Sequence, residues 1–454
     1  MYRFSTYKEQ YRANLKLALP VVLTQLGQIL VQLADNVMVG QYGGNDPTPL
    51  AAVSFGGAAF FILFITSMGI ALGLTPLIGE LYAQGDKPRA AQYLQNAILF
   101  YTLMGFFVAV LQFAITPLLY HLGQPVEVVD MAIPYYQMLA ASMPFVMLFF
   151  AFKQFLEGVG NTSIEMIVTI VCNLVNIGFN WIFIYGNLGA PEMGVQGAGL
   201  GTLLSRMCMP IMVIAIFYHN KLYRSYIDYF SRKNFSRETV RILLRMGLPI
   251  SSQMFLEASA FVGTSIMMGW MGTAVIGANQ IAIMMSNCAF MIVLSIGAST
   301  TIRISHCYGA HTIGQLSMAA KASYHLVLVW NFFAAILFIT LRNYIPTLFT
   351  TNPEVIDLTS KLMIAVALFQ LSDGVQNVSV GILRGIQDVK IIMPIAFISY
   401  WILNLPVGYL FCFKLGMGPQ GLFFGFAFGL SMAALLMILR IKQRTKALRV
   451  AWTK

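Results

Sequence analysis

Charged side chains are what this chain has least of. They make up 10% of its 454 residues, against 58% hydrophobic, and the mean hydropathy is +0.73. So few charges cannot coat a water-soluble protein of this length, which excludes an ordinary soluble enzyme or binding domain. The five cysteines (Cys172, Cys208, Cys288, Cys307 and Cys412) are scattered and include no CxxC pair, so neither a zinc site nor a disulfide framework is indicated. None of the five histidines forms HExxH, no P-loop or Gly-x-Ser-x-Gly elbow occurs, and no GxGxxG lies between a strand and a helix. Those absences argue against an enzyme, against a bound cofactor and against ATP as an energy source. No cleavable leader is evident either. The first apolar run is full length, follows a charged stretch of about sixteen residues and has no small-residue cleavage pattern, so it reads as a permanent span.

What the chain does have is apolar runs of bilayer length, about twelve of them, along its whole extent. They fall at 15–39, 50–82, 91–118, 134–158, 164–185, 197–219, 242–268, 274–306, 319–341, 355–383, 391–413 and 422–439. The fold class is therefore all-α and polytopic, with the lipid bilayer as its solvent. A net charge of +11, taken alone, points to nucleic acid. The Lys and Arg residues, however, gather at the N-terminus (Arg3, Lys8, Arg12, Lys16), at Lys87 and Arg89, from Lys221 to Arg245, and from Arg440 onward. That is the positive-inside pattern, which excludes nucleic acid as the partner and places both termini in the cytoplasm. The opposite loops hold chiefly Asp46, Glu127, Asp130, Glu192, Glu354 and Asp357, with Arg342, Lys361 and Lys414 as basic exceptions. The expected division is a cytoplasmic segment 1–14, a six-helix bundle 15–219, a cytoplasmic linker 220–241, a second six-helix bundle 242–439 and a basic cytoplasmic tail 440–454.

The two sets of six look like copies. Leu19-Pro20 and Met38-Val-Gly40-Gln-Tyr-Gly43 match Leu248-Pro249 and Met267-Met-Gly269-Trp-Met-Gly272 at one constant offset. Farther on, Leu156-Glu-Gly158 matches Leu383-Arg-Gly385, and Gly194-Val-Gln-Gly197 matches Gly418-Pro-Gln-Gly421. Landmarks repeated in the same order mark a duplication. Because each copy has six spans and starts on the cytoplasmic side, the copies are expected to be parallel, related by an axis along the membrane normal.

Polar residues inside the spans carry the functional signal. Counted from Arg245, Glu257 lies roughly 18 Å along its helix, near the middle of a hydrocarbon layer about 30 Å thick. An ionisable group there is costly and needs a partner, so it is a candidate for an ion or substrate pathway. Gln370, Asp373 and Asn377 share a helical face, and Asp373, twelve residues from Lys361, reaches a similar depth from the opposite surface. Two carboxylates in a low-dielectric pocket cannot both stay ionised without a cation between them, so the pair is expected to bind a proton or a metal ion. Hard oxygen ligands favour an alkali or alkaline-earth ion over a transition metal, and Asn279 and Gln280 are placed to add neutral oxygens.

In the first copy, Gln25, Gln28, Gln32 and Asp35 form one stripe, and the repeat sets Glu257 opposite Gln28 and Thr264 opposite Asp35. Gln253 belongs to the matching stripe of the second copy. Thr169, Asn173, Asn176 and Asn180 form a further stripe, read either as cleft lining or as packing between helices. Asp35, Gln28, Gln32, Asn176, Asn180, Gln253 and Gln370 are the candidates for binding substrate or handling a proton. Lys153 and Glu157 read as a local ion pair, and Arg206, midway along its span, has no assignment. The 27 methionines and 34 phenylalanines are ordinary for membrane spans, though a cavity lined by them would be adaptable and apolar.

Together these residues resemble the multidrug and toxic compound extrusion (MATE) transporters over essentially the whole chain. The likeness rests on Leu19-Pro20, Ala34-Asp35-Asn36-Val-Met-Val-Gly40, Gly158-Val-Gly-Asn-Thr162, Leu248-Pro249 with Glu257, Ala278-Asn-Gln280, and Gln370-Leu-Ser-Asp373-Gly-Val-Gln-Asn377 leading to Leu383-Arg-Gly385. Glu257 and Asp373 look most like the NorM-like bacterial branch. The resemblance implies a cation-coupled exporter in which those two residues hold the coupling ion and Asp35 serves substrate or proton handling. One departure is Phe369, where that branch often has a tyrosine near the ion. The expected activity is antiport of amphipathic, mostly cationic organic compounds against Na⁺ or H⁺ by a monomer in a bacterial inner membrane. The alternatives are a flippase for lipid-linked saccharides, which needs a cationic cavity, and a prenyl-diphosphate transferase, which needs Asp-rich Mg²⁺ motifs that are missing here.

Overall fold

In a bilayer every backbone N–H and C=O must be satisfied within the protein, and uninterrupted helices do this one span at a time. The computed structural model describes residues 4–452; of the basic residues noted above, Arg3 and Lys454 lie outside the described residues. Twelve long helices follow one another: α1 (Phe4–Gly43), α2 (Thr48–Gln84), α3 (Lys87–Ala114), α4 (Val126–Gly158), α5 (Thr162–Tyr185), α6 (Val195–His219), α7 (Arg237–Gly269), α8 (Thr273–Gly309), α9 (Ile313–Thr340), α10 (Pro353–Gly385), α11 (Val389–Lys414) and α12 (Pro419–Trp452). Among the described residues, eleven of them are apolar enough to cross a membrane on hydropathy alone. The other, α7, has 33 residues and falls short because Gln253, Glu257 and several serines dilute its apolar run.

Local chemistry sets the ends. Asp86 opens α3 by accepting from the Arg89 amide at 3.1 Å, and Asn161 opens α5 by accepting from Ser163 and Ile164 at 3.2 and 3.3 Å. Three spans are interrupted internally. α2 breaks between Ala71 and Leu74, and α4 breaks at Ser142, just before Pro144. In α11 a widened π-helical turn runs through Phe397–Asn404 and another through Leu410–Lys414. Pro406, between them, cannot donate to the preceding turn and crowds it, so the helix widens there.

The chain groups into two compact units, one of residues 23–251 and one of residues 252–454 with 1–22. The sequence places the boundary in the connecting segment 220–241. The chain instead changes unit inside the first helix of each half, close to Pro20 and Pro249. For α7 the cause is close glycine packing within the 23–251 unit. A Cβ on Gly69 would lie 2.5 Å from Ser251 Cα, and one on Gly247 would lie 2.4 Å from the Ile70 carbonyl, while Ser251 Oγ donates to the Thr66 carbonyl at 2.7 Å. The connecting segment itself carries a short helix, Lys221–Ile227, and is tied down by Asn96, which donates to the Asn234 carbonyl and accepts from the Ser236 amide. The start of α1 belongs to the other unit through hydrogen bonds. There Arg303 donates to the Gln10 carbonyl and to Asn14 Oδ1 at 3.0 and 2.7 Å, and Asn14 Nδ2 donates to Ser323 Oγ at 3.0 Å.

The segments expected at the two ends, 1–14 and 440–454, are helical throughout their described residues. α12 persists to Trp452 because its basic residues are good helix formers with partners to bind: Arg440 and Arg444 approach Asp388 at 2.6 and 3.4 Å, and the Trp452 ring packs against Tyr308 and His311.

The duplication is visible as repeated contacts. A Cβ on Gly158 would stand 2.6 Å from Ile78 Cβ and 3.0 Å from the Thr75 carbonyl; on Gly385 it would stand 2.6 Å from Ile304 Cβ and 3.0 Å from the Thr301 carbonyl. Thr75 and Thr301 each donate from Oγ1 to the facing helix, to the Gln154 and Gly381 carbonyls at 3.3 and 3.2 Å.

Candidate functional site

Each unit holds its own polar cluster, of buried amides around mostly half-buried charges. In the C-terminal unit, Gln253 and Glu257 lie one turn apart on α7 and share a face. Gln253 Nε2 donates to Glu257 Oε2 at 2.6 Å, and Gln253 Oε1 accepts from Arg384 Nη2 at 2.9 Å. α10 supplies both Arg384 and Asp373, and each is within electrostatic reach of Glu257. The widened turn of α11 brings the Tyr400 hydroxyl beside the two carboxylates, without a well-formed hydrogen bond to any protein atom. Gln370, one turn before Asp373, is fully buried with both amide atoms unpartnered. Its backbone carbonyl is held by Asn331 Nδ2 at 2.7 Å.

The pocket thus offers two carboxylates, a phenol oxygen and a free amide oxygen. Such a set suits a proton or a hard monovalent ion. Among the described residues, no group of three or more His, Cys, Asp or Glu side chains could hold a metal ion. Of the other residues expected here, Asn279 is buried and donates to Ser265 Oγ at 3.3 Å, leaving its carbonyl oxygen unpartnered. Gln280, the neighbouring residue, is exposed and is not drawn into this network. Asn377 packs where Gly297 leaves room, since a Cβ there would lie 2.0 Å from Asn377 Oδ1. Phe369 is buried, its ring centroid 5.7 Å from that of Phe423 and 6.0 Å from that of Phe426. The phenol of this pocket therefore comes from α11.

In the N-terminal unit the cluster centres on Asp35. Asn180 Nδ2 donates to Asp35 Oδ1 at 2.5 Å. With the Asn176 amide turned so that its nitrogen faces Asp35, it donates there at 3.0 Å and accepts from Thr202 Oγ1 at 3.2 Å. Gly201 makes this possible, because a Cβ there would fall 2.2 Å from Asn180 Oδ1. Arg206 on α6 is within electrostatic reach of Asp35 and Tyr135. Its guanidinium donates to Ser142 Oγ at 2.9 Å and lies 5.0 Å from the centre of the Phe60 ring. Gln28 and Gln32, on the same stripe as Asp35, are exposed and lie outside the hydrogen-bonded cluster.

Lys153 does more than pair with Glu157. Its Nζ lies 3.8 Å from Glu157 Oε1 and 3.0 Å from Glu165 Oε2, and both carboxylates are buried. Sequence reasoning missed Arg384 and Tyr400 and left Arg206 without a role. The two arginines were legible as charges within or at the end of a span; Tyr400 was one of twenty tyrosines with nothing to single it out.

Comparison with known proteins gives a consistent result. A family model described as MatE matches residues 20–182 and again residues 249–410. The chain is 30% identical over 453 residues to the multidrug resistance protein NorM of Photobacterium profundum, covering 96% of each sequence. Among solved structures it is similar to a MOP superfamily transporter from Pyrococcus furiosus, with 22% identity, 97% of each chain covered and a TM-score of 0.88. It is also similar to a MATE transporter of Vibrio cholerae, with 18% identity, 98% of each chain covered and a TM-score of 0.88.

Proposed function

The chain belongs to the MatE family of multidrug efflux transporters, and from that premise we propose that it is an antiporter that exports amphipathic, mostly cationic compounds in exchange for Na⁺ or H⁺. The coupling ion binds at Glu257 and Asp373, and the Asp35 cluster takes the substrate or a proton. The reading includes a bacterial inner-membrane location, cytoplasmic termini and a monomeric transporter. One observation carries it. Two carboxylates from different helices come within electrostatic reach of one another, one helical turn from a buried Gln370 amide oxygen that has no protein partner. A cation arriving there lowers the cost of the buried charge and favours whichever conformation holds the pocket closed around it. Drug binding favours the alternative, and the difference in affinity between the two conformations couples the fluxes.

The test is dye transport in inverted membrane vesicles with Na⁺ and pH gradients imposed separately. Glu257→Gln and Asp373→Asn, inserted at normal levels, are each expected to reduce ion-driven transport at least tenfold. Unchanged transport with unchanged ion dependence in both would overturn the assignment. A flippase would instead present a cationic cavity to a pyrophosphate. Here the arginine of each cluster already faces a carboxylate.

A further inference from the structure

We propose that Arg384 sets the charge of the cation pocket, so that the pocket is neutral with one monovalent cation bound. The inference rests on the reading of Glu257 and Asp373 as the residues that hold the coupling ion, and it adds what fixes the number and valence of ions taken.

The geometry separates charge compensation from ligation. Arg384 does not ion-pair directly with Glu257; its Nη2 bonds Gln253 Oε1 at 2.9 Å, and Gln253 Nε2 in turn bonds Glu257 Oε2 at 2.6 Å. A direct salt bridge would fill the site with the guanidinium. Placed one amide away, the same charge acts on Glu257 electrostatically while Glu257 Oε1 and Asp373 stay available to an ion. Arg384 Nε is buried and unpartnered, so the group is not tied up by another acid. The charged group that faces it is Glu257 on α7; Asp373, on the same helix as Arg384, and the Tyr400 phenol on α11 lie within electrostatic reach of Glu257 in turn. An arginine keeps its charge throughout the physiological range, which makes the compensation permanent.

Two ionised carboxylates and one guanidinium leave one net negative charge. Burying net charge in a low-dielectric interior is costly. One Na⁺ or one H⁺ makes the pocket neutral, whereas a divalent ion or a second monovalent ion leaves it positive. The Asp35 cluster of the other unit shows the contrast: one carboxylate faces one arginine, Arg206, so that cluster is balanced without an added ion.

The proposal makes a second-site prediction that a purely structural arginine would not. In Asp373→Asn the pocket is already neutral, with Glu257 offset by Arg384, and needs no cation. Removing the arginine as well restores one negative charge. In proteoliposomes of the full chain, dye transport is titrated against Na⁺ and, separately, against pH. The Asp373→Asn/Arg384→Gln double variant is expected to recover ion-driven transport at least tenfold over Asp373→Asn. Arg384→Gln alone leaves two negative charges, so its ion dependence is expected to steepen from a Hill coefficient of about one toward two. Ca²⁺ should then inhibit it at a concentration at least tenfold lower than in the unaltered protein. Arg384→Lys should keep the original steepness.

A double variant that is inserted and transports no better than Asp373→Asn overturns the proposal, because the negative charge that draws the cation is predicted to be restored. Should Arg384→Gln alone not fold, the double variant decides the matter by itself. If Asp373→Asn keeps full coupling, the reading of the cation site fails; if it loses coupling and no rescue follows, only the role of Arg384 does.

Discussion

Gly201→Ala tests whether the hydrogen-bonded cage around Asp35 matters for transport. A Cβ at this position would lie 2.2 Å from Asn180 Oδ1, against 3.4 Å or more for ordinary contact, so one of the two must move by roughly 1.2 Å. If the Asn180 side chain moves, its 2.5 Å bond to Asp35 stretches past the usual limit and is lost, at a cost of about 1.5–3 kcal/mol for a bond to a charged group. If α5 and α6 separate instead, overpacking costs a comparable ~1–3 kcal/mol. Either route destabilises by about 2 kcal/mol and displaces the cage. Gly178→Ala is the control, because it sits on the same helix as Asn180 and its added methyl would meet nothing within 4 Å. That variant should be neutral or more stable by up to about 1 kcal/mol through helix propensity. Melting in detergent and dye efflux are measured for both variants. Gly201→Ala should melt earlier and transport several-fold more slowly, with the ion dependence of the remaining flux unchanged. Indistinguishable behaviour of the two variants would refute the reasoning.

Two further substitutions probe the other clusters. Lys153→Met leaves Glu157 and Glu165 buried without their shared cation, so a loss of about 3–5 kcal/mol is expected, read as a lower melting temperature. Adding Glu165→Gln should recover much of it, and an unchanged melt would show that the ammonium compensates nothing. Tyr400→Phe removes the hydroxyl beside both carboxylates and is expected to raise the half-saturating concentration of the coupling ion several-fold while shifting stability by no more than about 1 kcal/mol. Unchanged half-saturation would exclude the phenol as a ligand.

The spans, the duplication and the meeting of Glu257 with Asp373 were legible because each depends on something a sequence encodes linearly. Run length gives the spans, constant offset gives the repeat, and residue count from each surface gives depth. What stayed hidden depends on neighbours that periodicity does not name. A helical stripe shows that Gln28, Gln32 and Asp35 share a side, yet only Asp35 meets the amides of α5. Tyr400 reaches the pocket from a turn widened before Pro406, where a count of 3.6 residues per turn misplaces every side chain that follows. The change of unit near Pro20 and Pro249 arises from close glycine packing and polar contacts between helices far apart in sequence, and no local pattern announces it.

The duplicated landmark Leu156-Glu-Gly158 and Leu383-Arg-Gly385 shows how the two units diverged on a shared frame. The glycines make the same contacts, to Ile78 and Thr75 in one unit and to Ile304 and Thr301 in the other, so the backbone is held alike. The residue before each glycine carries opposite charge, and its surroundings follow from that sign. Glu157 has Lys153 one turn earlier on its own helix. Arg384 has Val380 there and turns to Gln253 and Glu257 on α7. A buried charge must be offset by whatever lies within reach, so reversing it at a fixed position moves the compensating group from the same helix to another. In the first unit the result is a network centred on Lys153 that also takes in Glu165 on α5; in the second it links α10 to the helix that carries Glu257. Aligned positions whose packing agrees and whose charge does not are therefore where the difference in function between the two units is to be sought.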